Sequence, residues 1–542
     1  MAQGARRAFA LAVCALALPA AGCSGARHGP GSSPNRQSPP AVPPSPLNEL
    51  SYAVAAVPPS NWNILAAGTD APALAPVADQ LWPSVFSFGP DFNPVLNTTL
   101  VQSATVTSVS PQTVVYRINP KAIWSDGTPV SGADFVYNWQ AQSGRGGIPD
   151  AGGKSFTPAG TSGYSQVQSV AVGTSTPDVV TVVFATPDPD WSELFRHIVP
   201  AHVAQQVGFD TGFTDPVTDL VSAGPYVVAS YDPSGIVHLV RNPSYDGAPP
   251  AALELDVHYL PDTDQLTTAV AAGELSCAEV PATTTALSAL KSTSNLRVTI
   301  GSAATYLDLV FDEQSGAMKD PAAREEIARS LSRSAVISSA LAGVAPQEAP
   351  IANRFLVPNE AGYVAGGLPT DTAGKVPAGQ SVPLPSLRLV VASADPTAAA
   401  SGQAVAQQLE AAGIAVTVSQ VGDPSEPNAG HWDLALVARQ MNPWPSVEMA
   451  PYRSGAAGNI GGAADPSIDA DIAASMSASG AQRTTLIDGA DTEAWSSLPD
   501  LPILPLPSAL ACQTDVTGPA PNASPDGPAY NASSWGLSPG SS

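Results

Sequence analysis

Positive charge is scarce in this 542-residue chain: 22 Lys and Arg face 46 Asp and Glu, and Lys121, Lys154, Lys291, Lys319 and Lys375 are its only lysines. A formal charge of −24 without any basic run would repel a phosphate backbone, which argues against a nucleic-acid partner. Cysteine is scarce too, at four residues, and neither these nor the six His show metal-site spacing. Charged residues of both signs reach only 13%, about half the roughly 25% of ordinary globular chains. Past the first 20 residues no stretch approaches ~18 consecutive apolar residues, so nothing there should cross a bilayer. A Gly-rich phosphate loop is also missing, and no metal or cofactor is expected.

What is present is an apolar share of 44% with 45 Gly and 56 Pro, below the roughly 25–30% Gly plus Pro of a wholly disordered chain. At ~100–200 residues per domain, two to four folding units are expected. Arg6 and Arg7 precede an apolar run from Ala8 to Leu18, the pattern of a secretory leader over 1–22 and too short to span a membrane. Ala20-Ala21-Gly22-Cys23 resembles a bacterial lipobox, which makes Cys23 a candidate lipidation site; the alternative is an ordinary cleavage site with a Cys beside it. Residues 23–47, rich in Ser, Gly and Pro, read as a tether without a core. Cys277 and Cys512 remain, either as a disulfide, which an exported compartment permits, or as buried thiols.

Beyond the tether, β-rich runs at 106–109, 112–118, 179–184, 236–240 and 253–260 alternate with Gly, Pro and Asp punctuation. Trp124-Ser125-Asp126-Gly127-Thr128-Pro129 reads as a turn, and 131–140 as a helix with Phe135, Val136 and Trp139 on one side. Helical patterns follow at 265–272, 321–341 and 399–412, and 388–421 reads as a βαβ unit. The class expected is α/β with mixed sheets.

Several blocks, in order from about 50 to 525, resemble the extracellular solute-binding proteins of peptide and nickel ABC importers, the family 5 or oligopeptide-binding type. They include Tyr116-Arg117-Ile118-Asn119-Pro120-Lys121 running into the Trp124 turn, Gly224-Pro225-Tyr226, Arg241-Asn242-Pro243-Ser244-Tyr245, Ala272-Gly273-Glu274 and the segment 311–337. The resemblance implies a two-lobed periplasmic-binding-protein-like fold (type II, with an extra subdomain in lobe I) and two interlobe crossovers. It implies lobe I at 48–280, lobe II at 281–505 and a return with tail at 506–542. It would also bring Cys277 and Cys512 near the two crossings, where a bridge becomes possible in principle.

The resemblance further implies a lipid-anchored receptor on the extracytoplasmic face of the cell membrane. It would capture a peptide or peptide-like solute and deliver it to an ABC permease served by ATPase subunits. Peptide binders of this kind hold the ligand amine with an Asp in the second lobe, yet the matching stretch, Ala438-Arg439-Gln440-Met441-Asn442-Pro443-Trp444, has no carboxylate. Arg439 would then favour an anionic or hydroxyl-rich ligand, or serve as an ion pair; Asn442 and His431 are further ligand candidates. Trp444 and Trp62 either stack on the ligand or pack between elements, and Trp124 should be core.

Two other functions stand beside this one. Family 5 also includes actinobacterial lipoproteins of cell-envelope glycolipid assembly, which would make this a non-transport accessory. An exported acyl-transfer hydrolase is suggested by Ser288-Ala289-Leu290-Lys291, the spacing of a nucleophile and its base, but the supporting Ser-x-Asn and Lys-Thr-Gly elements are absent. The chain is therefore expected not to be an enzyme.

Overall fold

A computed structural model describes residues 48–144, 156–344, 349–364, 383–425 and 431–538, apart from positions 315, 359, 361 and 394. The expected leader, the Cys23 site and the tether lie outside the described residues.

Ten strands form one mixed sheet. In spatial order they are Val416–Val421, Leu387–Ala392, Leu434–Gln440, Leu296–Phe311, Asp500–Gln513, Cys277–Pro281, Glu49–Val54, Glu254–Tyr259, Ile236–Arg241 and Tyr226–Asp232. Glu49–Val54 and Leu387–Ala392 pair in parallel with both neighbours, and the other pairings are antiparallel. The expected βαβ unit is present: helix Pro396–Ala411 joins two parallel strands. Cys277–Pro281 and the long strands Leu296–Phe311 and Asp500–Gln513 lie mid-sheet, between the first-lobe and second-lobe strands.

Three prolines inside a mid-sheet strand need explanation, because proline cannot donate to a ladder. Cys277–Pro281 pairs only with residues 508–512 of the return strand, so the half before Ser508 has Leu296–Phe311 on one side and no strand of this sheet on the other. Pro502, Pro505 and Pro507 all fall in that half, which behaves as an edge where a lost N–H breaks no pairing.

The first lobe carries a second sheet, antiparallel throughout, in the order Val101–Val109, Gln112–Ile118, Val179–Phe184 and Val167–Val172. Its sequence signature folds for local reasons. Gly127 takes φ +89° in the turn after fully buried Trp124, and Asp126 accepts from the Thr128 N–H at 2.9 Å. Ser131 then caps helix Gly132–Gln142 in a reciprocal box with Asp134. The Gly-Pro-Tyr and Arg-Asn-Pro-x-Tyr blocks prove to be partners: Tyr226 lies opposite Arg241, and Asn242 Nδ2 donates to the Gly224 carbonyl at 2.9 Å. A Cβ on Gly224 would sit 2.2 Å from the Gln80 carbonyl oxygen, so that position is held by a close backbone approach.

Some expected boundaries move. The helix expected over 321–341 is two, Pro321–Ser330 and Arg333–Ala340, because Ser332 leaves the helical path and caps the second. The helix expected from 399 begins at Pro396 behind its Asp395 cap. Trp139 is only partly buried, since helix Gly132–Gln142 turns Phe135, Asn138 and Gln142 inward. Leu255, Val257 and Tyr259 are buried in alternation, but Leu253 precedes the strand and is 41% exposed.

Two large apolar clusters lie on opposite faces of the central strands. Tyr52 and Cys277 belong to the first, with Trp82, Trp124 and Phe135; their neighbours Ala53 and Ala278 belong to the second, with Leu309, Leu389 and Leu436. The period-2 alternation of a strand thus serves both cores at once.

Candidate functional site

A cavity of about 620 Å³ is bordered on the first-lobe side by residues 52–56, by Ile64, Leu65 and residues 70–73, and by residues 524–529, among others. Thr305, Gln440 and Trp444 close its second-lobe side. Ala71, Ala73 and Ala75 of helix Ala71–Leu81 keep that wall small, which leaves room for a ligand. The volume falls within the ~300–1,000 Å³ typical of ligand sites.

Charge is unevenly answered around this space. Arg196 pairs with Asp526, and His197 Nε2 lies 2.6 Å from Asp79 Oδ1. Among the described residues Glu193 receives the Ser162 hydroxyl, at 3.1 Å. Glu279 sits mid-strand in Cys277–Pro281 on the same face as Cys277 and borders the cavity. Neither glutamate forms an ion pair with a described residue. Burial pushes both carboxyls up, and for Glu193 nearby Asp188 and Asp190 add to it.

The two lobes also touch. Asp190 Oδ2 accepts from the Ser446 N–H at 2.8 Å and pairs with Arg483 at 2.6 Å. Trp444 meets Phe88 edge-on at 5.1 Å, while the Arg196 guanidinium lies 5.2 Å from its ring centroid.

Of the residues expected to bind ligand, Trp444 alone borders the cavity. It also packs between the lobes, against Phe88 and Arg196. Arg439 takes the ion-pair role: its Nε meets Asp308 Oδ2 at 2.5 Å. Strand register explains the pair, because Asp308 lies opposite Val437 and is the diagonal neighbour of Arg439. Asn442 is turned inward, donating from its backbone and side chain to Glu448 Oε1, both at 2.8 Å. Trp62 is 3% exposed and meets Tyr231 and Tyr259 edge-on, so its aromatic surface is spent on the first-lobe core; its neighbours Ile64 and Leu65 reach the cavity instead. His431 is exposed before strand Leu434–Gln440, at the end opposite to Gln440, and does not border the cavity.

Cys277 and Cys512 face each other in register with Cα atoms 4.1 Å apart and are joined by a disulfide. Ser288 and Lys291 are exposed on helix Thr284–Lys291. His202 and His238 each pair with an Asp, and among the described residues no group of three or more His, Cys, Asp or Glu is placed to hold a metal ion. Glu279 was missed in the sequence, although an acid inside the apolar run Cys277-Ala278-Glu279-Val280 was a visible signal.

A sheet passing through two lobes, with a cavity between them, defines a two-lobed binding protein. Residues 96–460 match the family model for bacterial extracellular solute-binding proteins, family 5, middle, and the chain belongs to that family. It is 29% identical over 311 residues to the oligopeptide-binding protein OppA of Mycobacterium tuberculosis, covering 56% of this chain and 51% of that one. The chain thus spans about half the length of that relative. Over 187 residues it is 34% identical to the same organism's probable monoacyl phosphatidylinositol tetramannoside-binding protein LpqW, 33% of this chain and 27% of the other. The structure of periplasmic EDTA-binding protein EppA superposes with a TM-score of 0.80 at 25% identity, over 91% of this chain and 97% of that one. Among the described residues no helix is long and apolar enough to cross a membrane.

Proposed function

We propose that this protein is the receptor of an ABC importer, holding a peptide or peptide-like solute in the cavity between its lobes. The observation that carries this reading is the cavity itself, bordered by small residues such as Ala53, Ala55, Ala71, Ala73 and Ala75 of one lobe and by Thr305, Gln440 and Trp444 of the other. In this reading lobe I covers 48–280, lobe II 281–505 and the return 506–542, and lipid on Cys23 holds the protein at the extracytoplasmic face. Ligand would favour the closed form by its differential affinity, and that form would dock on the permease. Similarity to OppA supports the peptide class.

The second reading, an accessory of envelope glycolipid assembly, draws on the similarity to LpqW. Native mass spectrometry of the protein purified from its source, with fragmentation of retained ligand, separates the two. A peptide mixture is expected; a retained mannolipid would replace import with the accessory role.

A further inference from the structure

We infer that the ligand carries a positively charged amine, received by Glu279 at the sheet centre and by Glu193 on the first-lobe wall. The inference rests on the receptor reading above and narrows its substrate class. The cavity is bordered by the carboxylates of Asp70, Glu193, Glu279 and Asp526 and by the cationic or ionisable groups Arg196 and His197. Arg196 is taken by Asp526 and His197 by Asp79, while Asp70 is exposed and caps a helix by accepting from the Ala73 N–H. Glu193 feels the Arg196 charge at longer range, but neither it nor Glu279 forms an ion pair among the described residues.

Glu279 is the stronger marker. Alternation along Cys277–Pro281 turns it to the face of Cys277 and Tyr52, which belong to the first apolar cluster. The Ser508 hydroxyl answers it with one hydrogen bond, and a half-buried carboxylate in such a place is left without an opposite charge. A ligand ammonium entering the cavity answers it, whereas a polycarboxylate would meet repulsion from both glutamates. The amine-binding role is thus displaced from the second-lobe stretch 438–444, whose Arg439 is neutralised by Asp308.

The test is calorimetry on the full chain with tetra-alanine in three forms: free amine with amidated C-terminus, both ends blocked, and blocked amine with free carboxylate. Spermidine and EDTA are measured alongside. The amine form should bind about ten- to a hundredfold tighter than the doubly blocked form, the range for one hydrogen-bonded charge contact. E279Q and E193Q, isosteric and checked for unchanged melting, should shrink that gap while leaving the doubly blocked form's affinity in place. If the carboxylate form or EDTA binds as tightly as the amine form, or the gap survives in both variants, the inference fails and the peptide reading stands. Spermidine binding without any peptide binding keeps the amine site and ends the peptide reading. Binding of none of the five overturns both.

Discussion

Glu448 shows how a single side chain can be misjudged from its neighbours in sequence. Asn442 looked available for a ligand, yet both its backbone and its side chain are spent on this carboxylate. Burial pushes the Glu448 carboxyl up to about 7, against the opposing hydrogen bonds from Asn442. A carboxyl raised in the folded state binds protons that the unfolded chain has released. Its contribution is therefore complete below about pH 4.5 and is lost as the pH rises through about 7. E448Q keeps the acceptor and removes the charge. Urea melts should show the variant equal to the parent near pH 4 and more stable near pH 8, by up to about 3 kcal/mol; equal curves at both pH values would refute this. The same logic covers Asp188, which burial and nearby Asp190 push up to about 7. Arg439 teaches a related lesson: its partner Asp308 is 131 residues away, and no local pattern announces a diagonal cross-strand pair.

Elements were more legible than contacts. Strands and the βαβ unit follow from alternation and punctuation, and the Trp124 turn from Asp-Gly chemistry; the break at Ser332 was not seen because apolar spacing continues across it. The disulfide belongs to this scale, because it ties the first-crossing strand Cys277–Pro281 to the return strand across 235 residues. Both cysteines are almost fully buried, so alkylation of the native protein should add no mass, and reduction in denaturant should expose two thiols. Replacing both by Ser should lower stability by about 2–5 kcal/mol, as for native bridges closing long loops, read as a fall in the urea midpoint. Two free thiols in the unreduced, denatured chain beginning at Ser24 would contradict it.

At the scale of the whole molecule, the lobe contacts give the cavity its second wall. Arg483 and the Ser446 N–H both hold Asp190, with the Trp444 and Phe88 rings beside the cavity. R483M removes the cation and leaves Asp190 with one backbone donor, so the closed arrangement should lose population. Small-angle scattering of the unliganded variant should give a larger radius of gyration, and ligand affinity should fall about tenfold, since part of the binding free energy then goes into closure. An unchanged scattering curve with unchanged affinity would show that this ion pair does not hold the lobes.

The scarcity of positive charge was decided by sequence alone, and so were the acidic balance, the strand and helix types and the ordered motif blocks that mark the family. These properties are local or additive: composition, periodicity of two or 3.6, and turn residues that need particular φ values. What the cavity's few cations and many acids do was decided only by tertiary structure. Pairings such as Arg196 with Asp526, His197 with Asp79 and Arg439 with Asp308 join residues brought together by register and lobe packing. Those pairings consume the positive charge the sequence offered to a ligand, and they leave Glu193 and Glu279 facing the space between the lobes.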